Sequence, residues 1–283
     1  MKPMLKWAGG KAQLLKYVRE MLPSGYNRYF EPFLGGGAVL LDLTPREATV
    51  NDINPELVNM YAQVKADVDA VVAALKALDE RHERAEDAGA FYYAMRALFN
   101  EQLGSGTPEQ AARLIYLNKH CFNGLFRVNA RGLFNVPFNK RRRGDSFCEA
   151  NMRETARYLR DVVILNGDFE DAVRAAEKGD FVFLDSPYVP VNPASFTDYT
   201  KEGFEYADHV RLADVFRRLS ARGVFCMLTN HNTELVRSLY GDFHMRVVQA
   251  ARNINARASA RKGEEVIVTN YVCTDRKAAV MMA

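Results

Sequence analysis

Cysteine is scarce in this chain and never paired locally. Cys121, Cys148, Cys226 and Cys273 are scattered over 283 residues with no CxxC motif, which argues against a zinc site or a disulfide framework. A reduced, cytosolic compartment fits that usage. No run of eighteen apolar residues occurs, so no membrane span is expected. The opening MKPMLKWAGGK lacks an apolar h-region, so a secretory signal is not expected. Internal repeats and low-complexity linkers are also missing. Acidic residues are absent from Gln110 to Gly144. That stretch holds Arg113, Lys119, Arg127, Arg131, Lys140, Arg141, Arg142 and Arg143, a local charge of +8 in a chain of net +3, which leaves the remainder at −5. Tyr116, Phe122, Phe126, Phe134 and Phe138 interleave with these cations. Basic residues with aromatics are the footprint of nucleic-acid binding; the alternative is a solvated basic face whose aromatics belong to the core.

What is present alternates. Lys11 to Met21 predicts a helix, Asn27 to Phe33 a strand ending at a glycine loop, Ala38 to Leu43 a helix and Ala48 to Asp52 a strand. Pro55 to about Leu103 is helical in pattern, as is Ala111 to Lys119. Strands return at Val162 to Leu165, Phe181 to Leu184 and Val224 to Leu228, and Phe243 to Gln249 with Glu265 to Tyr271 reads as a closing hairpin. Strands alternating with helices predict an open, mainly parallel α/β sheet. The block of roughly 58–148 is inserted into it as a mostly helical domain.

Several motifs carry chemistry. FEPFLGGGAVL puts Gly35 and Gly37 between a strand and a helix, where glycine lets the backbone turn and approach a ligand. Asp52 closes the next strand seventeen residues after Gly35, a spacing suited to the hydroxyls of a ribose. The alternative is a tight turn followed by a solvated acid. WAGGKA resembles a phosphate-binding loop but fails the pattern, because Ala12 stands where Ser or Thr would bind Mg²⁺. An NTPase is excluded on that ground. In FVFLDSPY a buried strand runs into Asp185, Ser186, Pro187 and Tyr188. Ligands of open α/β sheets bind beyond the carboxyl ends of strands, where the glycine loop, Asp52, Asp168 and Asp185 all fall. An acid, a backbone carbonyl and a ring together suit a planar amine.

The order LKWAGGK, FEPFLGGG, NDIN, DSPY resembles the S-adenosylmethionine-dependent DNA adenine-N6 methyltransferases, most closely the Dam type, which methylates adenine in GATC. The likeness continues through YLNKHCFNGLFRVNARGLFNVPF, SFTDYT, LTNHNTE and EVIVTNY, over essentially the whole chain. It implies a seven-stranded Rossmann-like methyltransferase sheet ending in a reversed hairpin. The catalytic, S-adenosylmethionine-binding domain would comprise 1–57 and 149–275, and the target-recognition domain 58–148. Trp7, Lys11, Asp52 and Asp185 match cofactor-contacting positions, with Phe33, Gly35 and Gly37 passing along the cofactor and Asp168 and Phe169 lining its adenine. Asp185, Ser186, Pro187 and Tyr188 match the catalytic motif, with serine where the family usually has proline. Lys6, Asn123, Leu125, Arg127 and Pro137 match target-sequence contacts or their neighbours, and Lys140 and Arg141 follow them. The implied partner is double-stranded DNA, bound by a cytoplasmic monomer associated with nucleoid or phage DNA and needing no metal or membrane; the product is S-adenosylhomocysteine. The rivals are an N4-cytosine enzyme, whose motif begins with Ser, an RNA or protein amide methyltransferase, whose motif begins with Asn, and a DNA-binding relative weakened through Ser186.

Overall fold

The computed structural model describes residues 1–7, 11–142, 144–191, 204–251 and 262–273. The glycines of WAGGKA, Arg143, the SFTDYT motif and the 252–261 loop lie outside the described residues. Seven strands form one sheet: β1 (Tyr29–Glu31), β2 (Ala48–Asp52), β3 (Val162–Asn166), β4 (Phe181–Leu184), β5 (Phe225–His231), β6 (His244–Ala251) and β7 (Lys262–Thr269). Their spatial order is β3-β2-β1-β4-β5-β7-β6. β1 pairs in parallel with β2 and β4, and β4 with β5. β7 runs antiparallel to both β5 and β6, which is the expected closing hairpin. The mixed, mainly parallel sheet agrees with the predicted fold class.

Local chemistry corrects several boundaries. The predicted helix from Lys11 is a 3₁₀ turn, Lys11–Gln13, followed by α1 (Leu15–Glu20). The predicted strand at 27–33 keeps only three paired residues. After α2 (Ala38–Leu43), the long helical run divides into α3 (Pro55–Ala66), α4 (Val68–Arg84) and α5 (Ala88–Glu101). The breaks fall at Asp67 and Asp87, whose carboxylates cap the amides of Ala70 and of Gly89 and Ala90. α6 (Pro108–His120) starts at Thr107, which caps Gln110, with Pro108 at its first position. α7 (Glu149–Leu159), α8 (Phe169–Ala172), α9 (Tyr206–Ala221) and α10 (Glu234–Tyr240) complete the α-helices among the described residues, and a 3₁₀ turn spans Phe122–Gly124. β5 is longer than predicted: it continues through Thr229, Asn230 and His231, because β7 pairs with each of them. No helix among the described residues is long and apolar enough to cross a membrane.

Two compact units divide the chain. One comprises Met1–Gly10, Leu34–Thr44 and Asn51–Gly167, the other Lys11–Phe33, Pro45–Val50 and Asp168–Ala283. In the first, α3 to α6 bury Leu57, Met60, Val71, Leu75, Tyr92, Ile115 and Tyr116. In the second, Val182, Leu184, Leu212, Phe216, Cys226, Leu228, Val266 and Val268 form a continuous core. All four side chains of β4 are buried, as a central strand covered on both faces requires.

Candidate active site

The residues singled out by sequence fall in both units. In the first unit, NDIN uses each polar side chain. Asn51 donates to the carbonyl of Gly167 (2.9 Å), and Asn54 caps α3 at the amides of Glu56 and Leu57. Asp52 accepts the amide of Gly35 on Oδ2 and that of Asn54 on Oδ1, both at 2.9 Å. Burial pushes the Asp52 carboxyl above its ordinary range, and these backbone donors offset that only in part. Further donors at Asp52, such as ribose hydroxyls, would stabilise its charged form. Beside it, the apolar side chain of Ile53 is 73% exposed, with no local pattern in the sequence to mark it.

Gly35 and Gly37 hold φ of 51° and 67°, a region costly to side chains with a Cβ. A Cβ at Gly35 would lie 2.9 Å from the Trp7 ring, and one at Gly37 2.7 Å from the Tyr61 hydroxyl, which donates to the Gly35 carbonyl at 3.2 Å. Trp7 stacks on Phe126 with centroids 5.1 Å apart. The bare loop and the desolvated acid fit a nucleoside.

The predicted DNA-contact residues lie in the same unit. Lys6 is tied at both its amide and its carbonyl to Asn118, which also donates to Gly124. Asn118 is thus the brace that joins Lys6 to the turn carrying Asn123; it sits inside YLNKH, and nothing local in that motif marked it. Asn123 and Pro137 are exposed and Leu125 half-buried. Arg127 is exposed on an arm closed by the Val128–Phe134 bridge, and its Nε donates to Asn135 at 2.8 Å. Lys140 and Arg141 are exposed, and Lys2, Lys119 and Arg141 line one cleft. For most of these aromatics the structure favours the alternative reading, in which the rings belong to the core. Tyr116 and Phe134 are core residues, Phe126 is half-buried against Trp7 and Phe134, and Phe138 is half-buried against His82 and Tyr92, so of the five only Phe122 is exposed.

In the second unit, β4 delivers Asp185 directly from buried backbone. Its Oδ1 pairs with Lys11 Nζ at 2.8 Å and accepts from the Thr229 hydroxyl at 2.7 Å. Oδ2 takes no hydrogen bond from the described residues. Lys11 Nζ also lies 4.5 Å from the centroid of the Tyr188 ring. The Tyr188 hydroxyl donates to Glu265 at 3.1 Å. Burial, then the charges of Asp185 and Glu265, push this phenol well above its usual range, so it remains a neutral donor. Ser186 is buried, and its hydroxyl lies 3.3 Å from the carbonyl of Pro187, which is exposed. Thr229 and Glu265 were unmarked by sequence, although LTNHNTE and EVIVTNY contain them.

Asp168 and Phe169 open α8. Asp168 caps the helix at Glu170 and is held by both terminal guanidinium nitrogens of Arg211 at 2.8 Å. The Arg211 pairing lowers the Asp168 carboxyl below its ordinary range. Phe169 stacks on Phe33 at 5.2 Å, with Arg211 over its face at 4.3 Å. Asp168 Oδ1 accepts from both Arg211 and the amide of Glu170, whereas Oδ2 accepts from Arg211 alone among the described residues and keeps room for a further donor beside the buried Phe169 ring. Among the described residues no group of three or more His, Cys, Asp or Glu is arranged to hold a metal.

Comparison with known proteins identifies relatives that cover most of the chain. Residues 7–254 match the family described as D12 class N6 adenine-specific DNA methyltransferase. The Type II methyltransferase M1.LlaDCHI of Lactococcus lactis subsp. cremoris is 40% identical over 279 residues, covering 96% of each chain. The Type II methyltransferase M.MjaIII of Methanocaldococcus jannaschii is 38% identical over 289 residues, covering 95% of this chain and 99% of that one. A DNA adenine methylase of Serratia marcescens is 35% identical over 270 residues, covering 94% and 97%.

Proposed function

The chain belongs to the D12 class of N6 adenine-specific DNA methyltransferases, and from that premise we propose that it methylates adenine within GATC in double-stranded DNA, on a base turned out of the helix. S-adenosylmethionine is the methyl donor and supplies, when bound, a methyl group on a positively charged sulfur. Trp7, Lys11, Phe33, Gly35, Gly37, Asp52, Asp168 and Phe169 are the residues we assign to holding it. The observation that carries the catalytic reading is Asp185, fixed at the end of β4 with one carboxylate oxygen on Lys11 and Thr229 and the ring of Tyr188 nearby.

Adenine N6 is a weak nucleophile because its lone pair is delocalised into the ring. A hydrogen bond from N6–H to Asp185, and a second to the backbone carbonyl of Ser186, favour a more tetrahedral nitrogen whose lone pair is free to attack. Preorganised charge and alignment then do most of the catalysis. An adenine inside a duplex is out of reach, so it must leave the stack at a cost of a few kcal/mol. Stacking on Tyr188 returns about 1–3 kcal/mol of that. An initial Asp at this position, rather than Ser or Asn, favours adenine over cytosine N4 and over protein amides.

Ser186 acts through its carbonyl, which serine and proline share. Among the described residues its hydroxyl reaches only the neighbouring Pro187 carbonyl, at a weak 3.3 Å. Ser186→Ala is therefore expected to leave the single-turnover rate within about twofold, a few tenths of a kcal/mol. A large drop in a folded variant would assign the hydroxyl a contact with base or cofactor and remove the weakened-relative argument with it.

Target choice rests on the exposed Arg127 arm, and grip on Lys140 and Arg141. Arg127→Ala should relax discrimination by about 1–3 kcal/mol at one base position. Neutralising Arg141, Arg142 and Arg143 should instead weaken all DNA alike and flatten the salt dependence. Methylation rates on a GATC duplex and on its single-base variants test the site preference. Equal rates on the variants, or a preferred site without GATC, would refute it.

A further inference from the structure

β5 ends in three consecutive side chains that hold both ends of the 185–188 loop. Thr229, with no exposed surface, donates to Asp185 Oδ1 at 2.7 Å. Asn230, also buried, accepts the amide of Val189 at 2.9 Å, and His231 Nδ1 lies 2.8 Å from the Val189 carbonyl oxygen. Pairing of Thr229, Asn230 and His231 with Ile267, Val266 and Glu265 of β7 keeps this tip in register. Glu265 in turn receives the Tyr188 hydroxyl. The first residue of the loop, its last ring and the residue after it are thus all fixed from one strand tip and its neighbour.

We propose that Thr229 is a positioning residue for methyl transfer, fixing the torsion of the Asp185 carboxylate so that one oxygen faces the substrate amine. The inference rests on reading Asp185 as the acceptor of N6–H. A carboxylate rotates readily about its terminal torsion, which is broad and nearly two-fold. With Lys11 alone on Oδ1, the carboxylate plane can swing about that torsion, and the intermediate orientations aim neither oxygen squarely at the amine. The Thr229 hydroxyl adds a second, directional donor to the same oxygen. Oδ1 is thereby saturated, and Oδ2 keeps its lone pairs for the base.

Thr229→Val keeps the branched shape but removes the hydroxyl, whereas Thr229→Ser keeps the hydroxyl and loses a methyl group. Hydrogen bonds to charged groups predict a fall in kcat of about 10- to 100-fold for Thr229→Val. Thr229→Ser should stay within about threefold of the parent, and KM for S-adenosylmethionine should stay within about threefold in both. If the valine variant does not fold, Thr229→Ala takes its place with the same expectation. A merely structural role would track thermal stability and would not separate serine from valine in kcat. Asp185→Ala is measured alongside. If it is inactive while Thr229→Val keeps full kcat, or while serine and valine slow equally, the inference fails and the role of Asp185 stands. If Asp185→Ala is active, the reading of Asp185 fails and takes the inference with it.

Discussion

Asp185→Ala is expected to abolish methyl transfer, lowering the single-turnover rate by about a hundredfold or more, at least about 2.7 kcal/mol of barrier. The side chain is the one acid delivered by the buried β4, and its position is set by Lys11 and Thr229 rather than by solvent. Alanine removes the acceptor of N6–H and also deprives Lys11 of its 2.8 Å partner. Some loss of stability follows, because Lys11 is only 6% exposed and a buried cation depends on its counter-charge. Asp185→Asn separates the two effects: it keeps an oxygen acceptor and the shape but not the charge. Rate measurements on folded protein, checked by thermal unfolding, decide the matter. A variant that keeps more than about a tenth of the rate, a loss under about 1.4 kcal/mol, would contradict the assignment.

The second large effect is on cofactor affinity. Asp52→Ala is expected to raise the dissociation constant of S-adenosylmethionine by about 10- to 150-fold, the value of about 1.5–3 kcal/mol for hydrogen bonds to a charged group. Asp52 also anchors the amides of Gly35 and Asn54, so its loss loosens the loop that carries the two left-handed glycines. Calorimetric titration measures the affinity directly. Trp7, the single tryptophan of the chain and a neighbour of Gly35, gives an independent fluorescence signal for the same loop. Unchanged affinity in a folded variant would move the ribose site elsewhere.

How much of this was legible in the sequence depended on whether an interaction is local. β4 matched its predicted bounds because four apolar residues end abruptly at an acid and a proline. The glycine loop and Asp52 were found because their spacing along the chain reflects a direct contact, the Gly35 amide on the Asp52 carboxylate. β5 was cut three residues short because Thr229, Asn230 and His231 are polar, and only pairing with β7, more than thirty residues later, makes them strand. The same distance hid the role of Thr229. Asp168 carried a recognisable motif position, yet its bidentate partner Arg211 lies 43 residues away and has no sequence signature. The long helical run divided at Asp67 and Asp87, where a capping carboxylate outweighs the continuing apolar period. The charge of the basic stretch is plain in the sequence, and the structure exposes it at Arg127, Lys140 and Arg141. Its aromatics could not be divided into core and surface from composition, since a ring that packs on α6 and one that faces solvent look alike in a sequence.

Product analysis tests the central claim most directly. The protein is incubated with methyl-labelled S-adenosylmethionine and a duplex containing GATC, the DNA is digested to nucleosides, and the labelled nucleoside is identified. The account predicts label in N6-methyldeoxyadenosine, dependent on Asp185 and reduced on duplexes with one base of GATC changed. Label in N4-methyldeoxycytidine, or DNA binding with no label at all, would contradict it.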